Sequence, residues 1–165
     1  MRKLLLVLVS VALSACGGWH LRGTQLAELG IRSVELRTSG APILGNQLRQ
    51  ALLYSGVTVN GRNATPDVSM IVSNEQFDRR VLSVDAETGK VREVEVGLRV
   101  DFQLLDAQGL PLTERRQLEF ERDFVFDELR LLGTVEQENL IRQALAEDAA
   151  NSLLIRLDAV RSSSK

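Results

Sequence analysis

The chain has 165 residues, 44% hydrophobic and 25% charged, with 20 Lys and Arg against 22 Asp and Glu. Aromatic residues make up only 4%, so that length fits one domain with an aliphatic core. The near balance of charge excludes a blanket basic field for nucleic acid. A single cysteine and a single histidine exclude an internal disulfide and an ordinary structural zinc site.

Arg2 and Lys3 precede the apolar run Leu4–Leu13. That run is too short to span a bilayer as a helix, which takes about 20 residues. Residues 1–15 are therefore expected to be a secretory signal peptide. Leu13-Ser14-Ala15-Cys16 resembles the lipobox of bacterial lipoproteins. Its small residues let the chain lie extended in a peptidase cleft, and the thiol is the nucleophile that accepts a diacylglyceryl group. Cys16 is thus expected to be the first mature residue, carrying N-acyl and S-diacylglycerol lipid, with no other cofactor and no metal. The competing reading is an ordinary signal peptide with a lone free thiol, uncommon in an oxidising compartment. Each buried methylene contributes about 0.8 kcal/mol, so two or more acyl chains anchor stably. Gly17 rather than Asp follows the cysteine, which by resemblance to the sorting rule of enteric bacteria implies the outer membrane. Residues 16–30 are expected to be a lipidated N-terminal segment, 31–160 a single α+β domain and 161–165 a flexible tail.

Within the domain, Val34 and Leu36 alternate along 31–38, predicting a short strand. Pro42 then opens a helix over about 42–54, where Leu44, Leu48, Ala51 and Leu52 form one stripe and Gly56 is the cap. Residues 68–85 read as a strand whose phase changes from Val68, Met70 and Val72 to Phe77 and Val81, predicting a bulge near 73–76. Residues 91–106 alternate cleanly, with Val94, Val96, Leu98, Val100, Phe102 and Leu104 on one face. Glu87-Thr88-Gly89-Lys90 is the hairpin turn between these two strands. The last strand, about 112–126, turns Leu118, Phe120, Phe124 and Phe126 inward. Thr134-Val135-Glu136-Gln137 reads as a capping box for a helix over about 135–158, striped by Ile141, Leu145, Ala149, Leu153 and Leu157. The order strand, helix, three strands, helix predicts a two-layer α+β sandwich. Two helices cover one face of a four-stranded sheet, and the charged other face is left to solvent or a partner.

Catalytic chemistry is scarce: no nucleophile elbow, phosphate-binding loop or dinucleotide fingerprint occurs. The chain is read as no enzyme. Glu119, Glu121 and Asp123 alternate along a strand, as a solvated face does. Arg122 falls between Phe120 and Phe124, so its stem should pack while its head reaches an edge or a partner carboxylate. Lys90 and Arg92 at the hairpin tip, with Arg79 and Arg80 on the preceding strand, are the candidate anion-binding cations. Their alternative partners are Asp78, Asp85, Glu87 and Glu93.

Cys16-Gly17-Gly18-Trp19-His20-Leu21-Arg22-Gly23 is similar to the mature start of the LPS-assembly lipoprotein LptE (RlpB) family. The helix with Asn46-Gln47-Leu48-Arg49, the Gly89 hairpin, the Arg122-Asp123-Phe124 strand and the Leu131-Leu132 entry to the final helix follow in the family's order. The resemblance implies an outer-membrane lipoprotein of a Gram-negative bacterium. It would sit in a one-to-one complex within the lumen of the LptD β-barrel, assisting barrel assembly and the insertion of lipopolysaccharide into the outer leaflet. It also implies that lipopolysaccharide meets basic residues near the hairpin and before the last helix. Leu132-Gly133-Thr134-Val135 carries no cation, which leaves Lys90, Arg92, Arg79 and Arg80. A pilot-type lipoprotein for a different outer-membrane pore is the alternative function.

Overall fold

Alternation along β4 (Val91–Asp106) organises the sheet. Val94, Val96, Leu98, Val100 and Leu104 are fully buried on one face, while Arg99, Asp101 and Gln103 point to the other. The structure is a computed structural model and describes residues 30–61, 65–126 and 131–163. The expected signal peptide, Cys16, His20 and the segment up to residue 29 lie outside the described residues.

β4 pairs antiparallel with β3 (Val68–Val84) on one side and with β5 (Arg116–Val125) on the other. β1 (Ser33–Ser39) runs parallel to β3. A parallel pair needs a crossover, and α1 (Pro42–Tyr54) supplies it. Leu44, Leu48 and Leu52 of α1 are fully buried against the sheet. Gly45 permits this approach, since a Cβ there would lie 2.8 Å from the Thr38 Cγ2 atom.

The sheet has five strands in the order β2-β1-β3-β4-β5, not the expected four. The addition is β2 (Thr58–Val59), which pairs parallel with β1. Asn60 then turns back with φ 52°. Its carboxamide accepts the Leu36 N–H at 2.7 Å and donates to the Leu36 carbonyl at 3.2 Å. One side chain thus continues the pairing of a strand two residues long, too short to show any alternation.

The phase change in β3 is the expected bulge. The register shifts between Ser73 and Gln76, and Asn74 takes φ 57°. Beyond it Phe77 and Arg79 face the helix layer, opposite Leu98 and Val96. β5 begins at Arg116 rather than 112, because Leu112 and Thr113 fold back onto Leu104. The Leu104 N–H donates to Thr113 Oγ1 at 3.0 Å, and the Leu112 N–H donates to the Leu104 carbonyl at 2.9 Å.

The second helix, α2 (Leu131–Ser163), buries Leu145, Ala149, Leu153 and Leu157 almost completely. It starts before the expected cap, so Thr134 lies within the helix and is 6% exposed. Leu131 and Leu132 are good helix formers, and Gly133 opposes them by only about 1 kcal/mol relative to Ala. Among the described residues, no helix is long and apolar enough to cross a membrane.

Candidate functional site

The β3–β4 hairpin ends in a turn built by one carboxylate. Asp85 Oδ1 accepts the Thr88 N–H at 2.9 Å, the Thr88 hydroxyl at 2.9 Å and the Glu87 N–H at 3.1 Å. These bonds hold the Asp85 carboxyl below its ordinary pKa, the Thr88 backbone contributing most. Gly89 takes φ +69° and donates its N–H to the Asp85 carbonyl at 2.8 Å, closing the turn. The Asp85 N–H donates to the Lys90 carbonyl at 2.7 Å, so Lys90 lies just before the return strand.

The structure separates the four cations singled out in the sequence. Lys90 and Arg92 are at the tip, where Arg92 Nη1 lies 4.0 Å from Asp85 Oδ2. The Arg92 side chain remains 68% exposed, so the pair is loose and solvent-screened. Arg79 and Arg80 are sequence neighbours on a strand and therefore point to opposite faces. Arg79 lies on the helix side, over the Phe126 ring at 5.2 Å, and its Nε is 3.5 Å from Glu138 of α2. Arg80 lies on the open side, 2.7 Å from Glu95. Alternation along β4 sets Arg92 on the same side as Val94 and Val96, and thus with Arg79.

Of the carboxylates expected to neutralise these cations, Asp85 faces Arg92. Asp78 pairs with Arg99 at 3.0 Å, and Glu93 accepts the Ser83 hydroxyl at 2.6 Å. Glu138 pairs with Arg79 and Glu95 with Arg80, while Asp148 serves Arg122, and the sequence reading missed all three. The one local signal was the i, i+4 spacing of Glu138 and Arg142, which pair at 2.6 Å. Arg142 also stacks over Phe77 at 5.4 Å, leaving its Nε buried without a partner. Arg122 reaches a partner carboxylate, Asp148, at 2.8 Å.

On the open sheet face the cations are held by carboxylates. Arg99 bridges Asp78 at 3.0 Å and Glu119 at 3.3 Å. Asp101 accepts from Asn74 at 2.8 Å and from Arg115 at 3.0 Å, which lowers its pKa, Asn74 being the larger cause. Glu35 is lowered by Arg37 and then by the Ser69 hydroxyl. No group of three or more His, Cys, Asp or Glu suited to a metal occurs among the described residues. The candidate site thus comprises a charged tip and two unlike sheet faces.

The family model of LptE, described as lipopolysaccharide-assembly, matches residues 31–157, the whole folded body from before β1 to near the end of α2. The chain belongs to the LptE family. Members are non-enzymatic lipoproteins of lipopolysaccharide assembly, which places this chain in lipopolysaccharide transport and outer-membrane assembly. It is 29% identical over 167 aligned positions to the LPS-assembly lipoprotein LptE of Photorhabdus laumondii, covering 98% of this chain and 87% of that one. The fold is similar to that of lipoprotein B from Nitrosomonas europaea, with TM-score 0.70 and 25% identity over 88% of this chain and 93% of the other. It also resembles the rare lipoprotein B of Shewanella oneidensis, with TM-score 0.68 and 19% identity over 80% of this chain and 98% of that one.

Proposed function

We propose that this protein is an outer-membrane lipoprotein, tethered through acylated Cys16, that plugs the LptD β-barrel. There it assists barrel assembly and the delivery of lipopolysaccharide to the outer leaflet. The observation that carries this reading is the family match over residues 31–157. The physics of the surface agrees with it. A wet barrel lumen suits a sheet face whose cations are held by Glu95, Asp78, Glu119 and Asp101, because such a face stays hydrated and resists aggregation. Lys90 and Arg92 at the protruding tip are the proposed contacts for lipopolysaccharide phosphates. Arg79 stands on the same side as Arg92, and Arg80 addresses the opposite face. Asp85 organises the tip and also faces Arg92, so phosphate must compete with that carboxylate.

The test is native co-purification. The detergent-solubilised lipoprotein should bring down LptD in one-to-one stoichiometry. Recovery with a different outer-membrane pore, and no LptD, would replace this reading with the pilot-type one.

A further inference from the structure

β5 is a free edge. Its inner side pairs with β4 from Arg116–Phe102 to Val125–Glu93, and no described residue pairs with its outer side. The Phe126 N–H donates to the Arg92 carbonyl at 2.8 Å, so the bonds to β4 belong to the even-numbered residues. In an antiparallel ladder the alternate residues then present their N–H and C=O groups outward. Here these are Gln117, Glu119, Glu121, Asp123 and Val125. A strand of 10 residues offers an edge about 33 Å long.

The side chains of those residues stand on the open face, and their charge is not balanced. Arg80 takes Glu95, Arg115 takes Asp101, and Arg99 is shared between Asp78 and Glu119. Glu121 and Asp123 receive no cation among the described residues. Glu121 lies opposite Gly97, which has no side chain, and the Cβ position there is only 2.8 Å from Asp78 Oδ1. Asp123 lies opposite Glu95, a like charge. On the other face of the edge Leu118 and Phe124 are buried and Phe120 partly so, with Arg122 between the two Phe residues and paired to Asp148.

These features select the occupant. A second copy of β5 would set Glu119, Glu121 and Asp123 against themselves, since directly opposed side chains share a face, and opposed like charges destabilise a strand pair. An uncharged strand would leave two carboxylates without counter-charge. A strand alternating basic with apolar residues completes the backbone ladder, meets the carboxylates and covers Phe120. We infer that the outer edge of β5 is a strand-addition site for an extended segment of another protein with Lys or Arg at every second position. The inference does not depend on the lipopolysaccharide-binding role of the hairpin tip.

The experiment uses the full-length lipoprotein in detergent and a short peptide alternating Lys and Val, followed by amide hydrogen exchange. The peptide should slow exchange over residues 116–126 by about tenfold or more, leaving the tip at 85–90 unchanged. The variant Glu121→Lys/Asp123→Lys should lose that protection, and Glu121→Gln/Asp123→Asn should keep a reduced part of it, with melting curves confirming both are folded. A peptide with Pro at its centre should fail, because Pro removes a ladder donor. Equal binding of the Pro peptide would overturn the proposal in favour of simple charge attraction, and absence of protection over 116–126 would overturn it outright. Protection already present without peptide would also overturn it: a second copy holds the edge if that protection grows with protein concentration, and the chain's own segment if it does not.

Discussion

The Glu75 carboxylate lies at the start of α1, with Oε1 2.8 Å from the Leu44 backbone nitrogen. Its other oxygen accepts the Ile43 N–H at 3.0 Å, so one side chain satisfies two of the free donors of the first turn. The residue in the capping position, Ala41, has no side chain able to do this. Glu75 sits there because the β3 bulge turns it toward Gly40, whose carbonyl accepts the Glu75 N–H at 2.9 Å. Bulge and helix start are therefore one unit.

Glu75→Ala should cost about 1–2 kcal/mol, the range of a lost helix cap together with a favourable charge at the helix N-terminus. Urea unfolding should show the midpoint lowered with little change in slope. An unchanged midpoint would mean that water replaces the carboxylate without loss.

Leu145 is 1% exposed at the centre of the buried stripe of α2. Leu145→Asp should cost about 3–5 kcal/mol through lost packing and an unpaired buried charge. Glu136→Ala, on an exposed position of the same helix, should stay within about 0.5 kcal/mol. Thermal melts of the two variants provide the comparison, and similar curves would show the helix face to be wrongly assigned.

The turn at Asp85 should loosen in acid. Its carboxyl is held below the ordinary value by the Thr88 and Glu87 donors, so the charged form binds the turn better than the protonated one. That contribution is complete above the unfolded-state pKa of about 4 and is lost as pH falls through the lower folded value. Glu35 and Asp101 are shifted in the same direction, so the fold as a whole should weaken in the same acid range. Protection of the Glu87 and Thr88 amides, taken relative to their intrinsic exchange rates, should fall below about pH 4, and Asp85→Asn should flatten that dependence.

Lys90→Glu/Arg92→Glu should weaken lipopolysaccharide binding by the purified protein by at least about tenfold, since each charge-assisted phosphate contact is worth roughly 1.5–3 kcal/mol. Complex formation with LptD should survive. Binding left unchanged at low salt, where phosphate contacts are strongest, would remove the tip from the ligand site.

Cys16→Ser should accumulate as an uncleaved, unacylated precursor. Detergent-phase partitioning reads the outcome, and normal processing of this variant would show that the lipobox is not the cleavage signal. The body over 31–157 should fold without the anchor, because its core is built from Ile31 onward.

The features legible along the chain were those with a local period. The even-numbered valines and leucines of β4, the four-residue recurrence in α2 and the phase slip near 73–76 in β3 each report a repeating environment on one element. Those patterns establish an α+β sandwich with one wet sheet face. They carry no information about strand order, since every strand alternates alike whichever neighbour it meets. β2 is invisible for a related reason: a pair formed by Thr58 and Val59 is too short for a period, and it persists because Asn60 completes it on Leu36. The separation of Arg79 from Arg80 follows from alternation, whereas their partners Glu138 and Glu95 lie far along the chain and are set by packing. Glu75 is the clearest case. Its spacing from Leu44 has no local meaning, and only the parallel β1–β3 crossover brings a strand carboxylate to a helix start.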